Sequence, residues 1–103
     1  MVSDVYFPRV NGVSTSIQTL RQALTAAGHT SMLVAPDYPA AVAEPGIVRV
    51  PGWQIPRDPE DRLMHPRALA VALEALDPAG FDLVHIHTPF LAHRAGVRWA
   101  RKH

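Results

Sequence analysis

Pro8 sets the first hard boundary in this chain. It offers no N–H to a β-ladder and pushes Phe7 out of helical geometry, so the strand-favouring run Ser3-Asp4-Val5-Tyr6-Phe7 has to stop there. The Asn11-Gly12 pair tolerates positive φ, and Ser14, Thr15 and Ser16 carry oxygens able to cap the first free N–H groups of a helix. Thr15 followed by Gln18 also fits a capping box. Val13, Ile17, Leu20, Leu24 and Ala27 then fall on one stripe, with Gln18, Arg21, Gln22 and Thr25 opposite, until Gly28 ends the helix. A strand, a glycine-bearing loop and a helix N-terminus therefore follow one another. Such a junction gathers unpaired N–H groups and the positive end of the helix dipole, which suits a phosphate or carboxylate. A tight connection in an ordinary α/β unit would look the same. One glycine is present where a dinucleotide fingerprint has three, and no GKS or GKT follows, so the loop alone names no ligand.

Thr30-Ser31-Met32-Leu33-Val34-Ala35, bounded by Gly28 and Pro36, suits a buried strand better than a helix. A helix between two such strands is a βαβ unit, whose crossover is right-handed and whose strands are parallel. That sets the fold class as α/β. From Asp37 to Arg67 the chain is crowded with Pro39, Pro45, Pro51, Pro56, Pro59 and Pro66, which forbid a long helix; only Ile47-Val48-Arg49-Val50 reads as a strand. Trp53 is expected to pack onto the core as a local staple, with a lid as the alternative, and Arg57, Asp58, Glu60, Asp61 and Arg62 as a solvated face. Pro66 opens a second helix with a stripe of Leu69, Ala72, Leu73 and Leu76, closed by Asp77-Pro78 and Gly80. Phe81 to His87 reads as a strand, and a last helix from Leu91 buries Leu91, Ala95 and Trp99 while exposing Arg94, Arg98, Arg101 and Lys102. The expected strands lie near 2–7, 30–35, 47–50 and 82–87, and the helices near 14–27, 67–77 and 91–102.

Residues His85 and His87 share one face of their strand, about 6.6 Å apart along it. A zinc site would need a third ligand, for which His29, His65 and His93 have no assigned place, so no metal is expected. His85 is expected to be a buried core residue. His87 stands at the carboxyl end of its strand, before Thr88-Pro89, and ligands of open α/β sheets bind outside that edge. The Gly12 loop leaves the same edge. The two can converge if their strands are neighbours or nearly so.

At 103 residues the chain is one domain. Ten Lys plus Arg against nine Asp plus Glu gives net charge +1 and no case for nucleic-acid binding. The lack of cysteine excludes disulfides and thiolate zinc sites, and no apolar run approaches the ~20 residues of a membrane span. A cytoplasmic protein is the default expectation.

The stretch DVYFPRVNGVSTSIQTLRQALTAAGH, then SMLVAPDYP, then FDLVHIHTPFLAHRAG resembles the N-terminal half of the retaining nucleotide-sugar glycosyltransferases of the GT-B fold, the group 1 or family 4-like enzymes. The resemblance spans nearly the whole chain and rests on three blocks in order. It implies a Rossmann-like parallel sheet flanked by helices, the acceptor-side domain of an enzyme moving a hexosyl group from a nucleotide-diphosphate sugar to a lipid or other small-molecule or glycan acceptor. It also implies that Asn11, Gly12 and Val13 lie beside the donor's sugar and diphosphate, with Thr88 nearby and His87 close to the reacting sugar as the catalytic-site histidine. Many members carry two successive glycines where this chain has Asn11-Gly12. The family's second domain, with its basic pair and its two glutamates separated by seven residues, has no counterpart here. The 1–103 domain is therefore expected to be truncated, inactive by itself, partnered by a missing C-terminal Rossmann-like domain, and free of cofactor and metal. If the acceptor is a lipid, peripheral association at the inner face of a membrane follows. A non-enzymatic α/β phosphate- or nucleotide-binding module, or an inactive fragment, is the alternative.

Overall fold

The computed structural model describes residues 1–103, the side chain of Pro59 apart. Its elements are α1 (Gly12–Ala26), β1 (Leu33–Pro36), β2 (Ile47–Val50), β3 (Gly52–Ile55), β4 (Asp58–Met64), α2 (Pro66–Ala75), a short 3-10 turn at Asp77–Ala79 and α3 (Leu91–Lys102).

β1 and β2 pair in parallel, Leu33 opposite Ile47. Two further extended segments join this sheet through single parallel bridges, Val2 to Val34 and Val2 to Ile86. Across the sheet the order is therefore the Ile86 segment, the Val2 segment, β1, β2. The Val2 segment is held on both sides: Val2 N–H donates to His85 O at 2.9 Å and His87 N–H to Val2 O at 3.0 Å, while Ser3 N–H donates to Val34 O at 3.0 Å. The chain turns one way from its first strand to β1 and β2, then returns to the other side. That reversal is the switch point of an open α/β sheet.

The period of two along each strand sorts the core into two faces. Leu33, Ala35 and Ile47 pack with Tyr6 and Ile17 of α1 on one side. Val34, Val48 and Val50 pack with Leu69 and Leu73 of α2 and with Ala92 and Trp99 of α3 on the other. Ile17 is wholly removed from solvent, a burial worth about 1.5–3 kcal/mol. The α/β expectation holds, with helices on both faces of a small parallel sheet.

Several boundaries differ from the expectation for physical reasons. The first strand, expected over 2–7, pairs only at Val2. Ser3 Oγ donates to Val5 O at 2.7 Å and accepts from Val5 N–H at 3.2 Å, and Asp4 N–H donates to Thr88 Oγ1, so side chains take the ladder's backbone groups. Likewise the 82–87 strand is reduced to the Ile86 bridge. The 47–50 strand and the 91–102 helix stand as expected. The helix expected at 14 starts at Gly12, and its cap is Asn11 and not the Thr15–Gln18 box: Asn11, extended at φ −157°, accepts from Ser14 N–H at 2.9 Å.

The proline-rich middle holds an antiparallel hairpin, β3 with β4, Trp53 opposite Leu63. Prolines at its ends and turn hid it from the sequence pattern. Trp53 does not staple the core. It is 52% exposed and stacks on His65 with ring centroids 4.0 Å apart. Nor are the hairpin's charges merely solvated, for Arg9 pairs with Glu60 at 2.7 Å and Asp61 at 3.1 Å, with Asp58 at 4.0 Å. The first loop is thereby tied to the hairpin.

Candidate functional site

Two loops leave the carboxyl edge of adjacent strands: Asp4 to Asn11, leading into α1, and Thr88 to Phe90, leading into α3. The first is braced from within. Arg9 O accepts from the buried Ser14 hydroxyl at 2.6 Å, and Asn11 O accepts from Thr15 N–H at 3.1 Å. Asn11 thus uses its side-chain oxygen as the cap of α1. Gly12 is exposed, and a Cβ placed on it would meet no atom within 4 Å. Its φ is not positive, so its conformation does not demand glycine; what the missing side chain provides is open space at the first turn of α1. Val13 is half-buried against the Tyr6 and Ile17 cluster.

The second loop carries His87 and Thr88. His85, expected in the core, is exposed, and its ring lies stacked on His87 with centroids 4.1 Å apart. Two residues apart on one strand face, the rings lean together over the edge. Burial pushes the His87 imidazole down to about 4, helped by the nearby His85 and the N-terminal ammonium. The ring is therefore neutral near pH 7. Its Nε2 is buried with no hydrogen-bond partner. A neutral imidazole with an unmatched nitrogen has room in its bonding for one more hydrogen bond, as donor or acceptor by tautomer. No hydrogen bond joins it to Asn11, Gly12 or Val13 among the described residues.

Thr88 is only 9% exposed, and its hydroxyl donates to Asp4 Oδ2 while accepting from Asp4 N–H at 2.8 Å. Ala92 N–H, in the first turn of α3, donates to Asp4 Oδ1 at 3.1 Å. Asp4, absent from the sequence-level site, is thus its most connected carboxylate. The signal that could have found it is its place, an acidic residue right where a central strand ends. Arg9 was missed for the same reason as the hairpin it binds.

Outside the carboxyl ends of the first strand and β1, a groove of about 520 Å³ runs between Pro8, Arg9 and Val10, Tyr38 to Ala40, and Glu60 and Arg62 of β4. A second groove, about 370 Å³, lies between α2 and α3 and is lined by Leu69, Leu73 and Trp99 with Arg94 and Arg98. No cluster of three or more metal-ligating side chains occurs among the described residues. None of their helices is long and apolar enough to cross a membrane.

Residues 10–103 match the family described as Glycosyltransferase Family 4. The alpha-monoglucosyldiacylglycerol synthase of Acholeplasma laidlawii is 30% identical over 102 residues, covering 97% of this chain and 26% of that protein. The synthase of the same name from Streptococcus pneumoniae is 31% identical, covering 99% and 23%. The GDP-mannose-dependent alpha-mannosyltransferase of Mycobacterium tuberculosis is 32% identical over 110 residues, covering 99% and 28%. The chain spans about a quarter of the length of these curated relatives. No solved structure matches it.

Proposed function

The chain belongs to Glycosyltransferase Family 4, and from that premise we propose that it is the acceptor-side domain of a retaining GT-B enzyme that moves a hexosyl group from a nucleotide-diphosphate sugar to a lipid or glycan acceptor. The observation that carries this reading is the pairing of His87 N–H with Val2 O. It sets the His87 turn and the Gly12 loop on adjacent strands at one edge, at the point where strand order reverses.

On this reading the open first turn of α1 faces the donor's diphosphate, since Gly12 adds no side chain there and the helix end favours negative charge. Val13 and Asn11 hold that turn in place, and Thr88 sets the level of the neighbouring one. His87, neutral and with Nε2 unmatched, hydrogen-bonds a hydroxyl of the reacting sugar or orients the acceptor; it need not act as a base. The groove bounded by Arg9, Tyr38 and Arg62 is the seat for the acceptor. No metal or cofactor enters this scheme. A second domain supplies most donor contacts, and the present chain is silent without it.

The names of two relatives include a diacylglycerol, which favours a lipid acceptor, and those of others a GDP-mannose donor, which favours a nucleotide-diphosphate sugar as the donor. Four cations and no acidic residue on α3 suit peripheral contact with the inner face of a membrane.

The test is transfer by the full-length enzyme from UDP-glucose and from GDP-mannose to diacylglycerol and to glycolipid acceptors, with the anomer of the product read by NMR. Retained configuration from either donor supports the proposal. Donor hydrolysis and transfer both at the level of an empty-vector control would remove it, and saturable binding of a nucleotide without transfer would favour the non-enzymatic module.

A further inference from the structure

We infer that Asp4 is a positioning residue of this site: its carboxylate ties the end of the first strand to the Thr88 turn and to the N-terminus of α3, and so fixes where the His87 ring stands. The inference rests on the glycosyl-transfer reading for its catalytic consequence, though not for its geometry.

Asp4 reaches across to a strand that arrives 84 residues later. Thr88 gives it a hydroxyl proton and Ala92 gives it a backbone N–H, which contacts Oδ1 at 3.1 Å and Oδ2 at 3.3 Å. The residue that precedes α3, Phe90, makes no side-chain cap. Asp4 is therefore the cap of α3, supplied from ahead of α1, with a carboxyl group at the helix end whose dipole favours an anion. Thr88 is one residue beyond His87, whose own N–H is bonded to Val2 O. Between them these bonds hold the His87 backbone N–H on one side and the Thr88 side chain on the other, with the His87 ring stacked on His85.

A second consequence concerns the donor. The α3 N-terminus opens at the switch point, where a phosphate would otherwise be drawn. Asp4 occupies it and so closes that helix end to an anion.

The experiment uses five forms of the chain: unchanged, Asp4→Ala, Asp4→Asn, Thr88→Val and Thr88→Ser. The His87 ring is titrated by NMR in each. The unchanged chain and Thr88→Ser, which keeps the hydroxyl, should hold the ring neutral down to about 4. In Asp4→Ala and Thr88→Val the midpoint should rise by roughly one unit or more toward that of an ordinary imidazole, with Asp4→Asn between. Leu73→Ala serves as a core variant that lowers stability without touching the turn, and its His87 midpoint should stay put. Should Asp4→Ala fail to fold, Thr88→Val reads the same contact. Midpoints that stay put in both Asp4→Ala and Thr88→Val, while melting temperatures fall, would overturn the proposal and leave Asp4 a helix cap only.

In the full-length enzyme, the same Asp4→Ala change should lower kcat by on the order of tenfold or more with donor KM nearly unchanged, as expected when a reacting group is displaced. A loss confined to KM would count against positioning. If the unchanged full-length enzyme transfers no sugar, the glycosyl-transfer reading falls and the titrations still judge Asp4.

Discussion

A Cβ on Gly96 would stand 2.9 Å from both Cδ1 and Cγ1 of Ile86, so α3 rests on the strand that carries His87 at a distance where any side chain at this position must displace that of Ile86. Gly96→Val should force the helix off that strand and lower stability by about 1–3 kcal/mol, the usual cost of overpacking. Chemical denaturation measures this, and an unchanged midpoint would mean that α3 is free to shift.

His87 gives the chain a pH signature. Its folded value, about 4, lies below the ordinary 6.5, because burial first and His85 second disfavour the charged ring. As pH falls below 6.5 the unfolded chain gains a proton there and the folded chain does not until about 4. Stability from this group is therefore complete above 6.5 and is lost as pH drops through that window. Melting temperatures taken between about pH 7 and about pH 4.5 should fall less steeply in His87→Gln than in the unchanged chain.

Gly12→Val should separate folding from function. Open space and an ordinary φ at Gly12 mean that stability should change by no more than about 0.5 kcal/mol. In the full-length enzyme activity should nonetheless drop by on the order of 10²-fold if the proposed donor site is right, since a branched side chain would fill the space assigned there to the donor. Normal turnover with normal folding would move the donor away from this loop.

For His87→Ala the expected loss in kcat/KM of the full-length enzyme is also on the order of 10²-fold, the size typical of a placed polar group. His85→Ala should do less, because its exposed ring touches the site only through His87. Steady-state rates on both variants decide the order, and equal losses would show that the stack acts as one unit.

Arg9→Ala should release the hairpin from the first loop, because Arg9 faces Glu60, Asp61 and Asp58 at once. Amide exchange over residues 52–64 should quicken, and added salt should narrow the difference from the unchanged chain. Exchange rates that match would show the hairpin holding by its own ladder.

The layered fold was legible because helix and strand periods alternate so regularly: Leu33, Val34 and Ala35 do face alternate cores, and α3 buries Trp99 as its stripe indicates, although its other buried positions are Ala92 and Gly96, one residue beyond the half-buried Leu91 and Ala95. Pro66 at a first-turn position marked α2 correctly. The local errors share a cause, for each involves a side chain competing with a backbone or reaching far along the sequence. Ser3 captures Val5 and ends a strand that composition would extend to Phe7. Asn11 caps α1 from a position read as loop. Asp4, Thr88 and Arg9 act on partners 49 to 88 residues away, and no window on the sequence contains both members. His85 looked buried because its neighbours are apolar, while the rings pair instead at the edge. His87 and the Gly12 loop were named from their place at strand ends, and adjacent strands do carry them.

The central place of the first strand has a bearing on how the chain acquires its shape. Val2 pairs with β1 on one side and with the Ile86 segment on the other, and that second partner follows α1, both β-pairs and α2 in the sequence. During translation the Val2 strand is left with one bare edge until the residues around Ile86 have left the ribosome, and that edge is open to any extended segment that meets it. Ordering so long an intervening stretch slows closure relative to local pairings such as the β3–β4 hairpin. A ribosome stalled before the Ile86 codon would hold a βα-β unit whose middle strand is still unclaimed, a natural target for a chaperone that grips exposed strand edges.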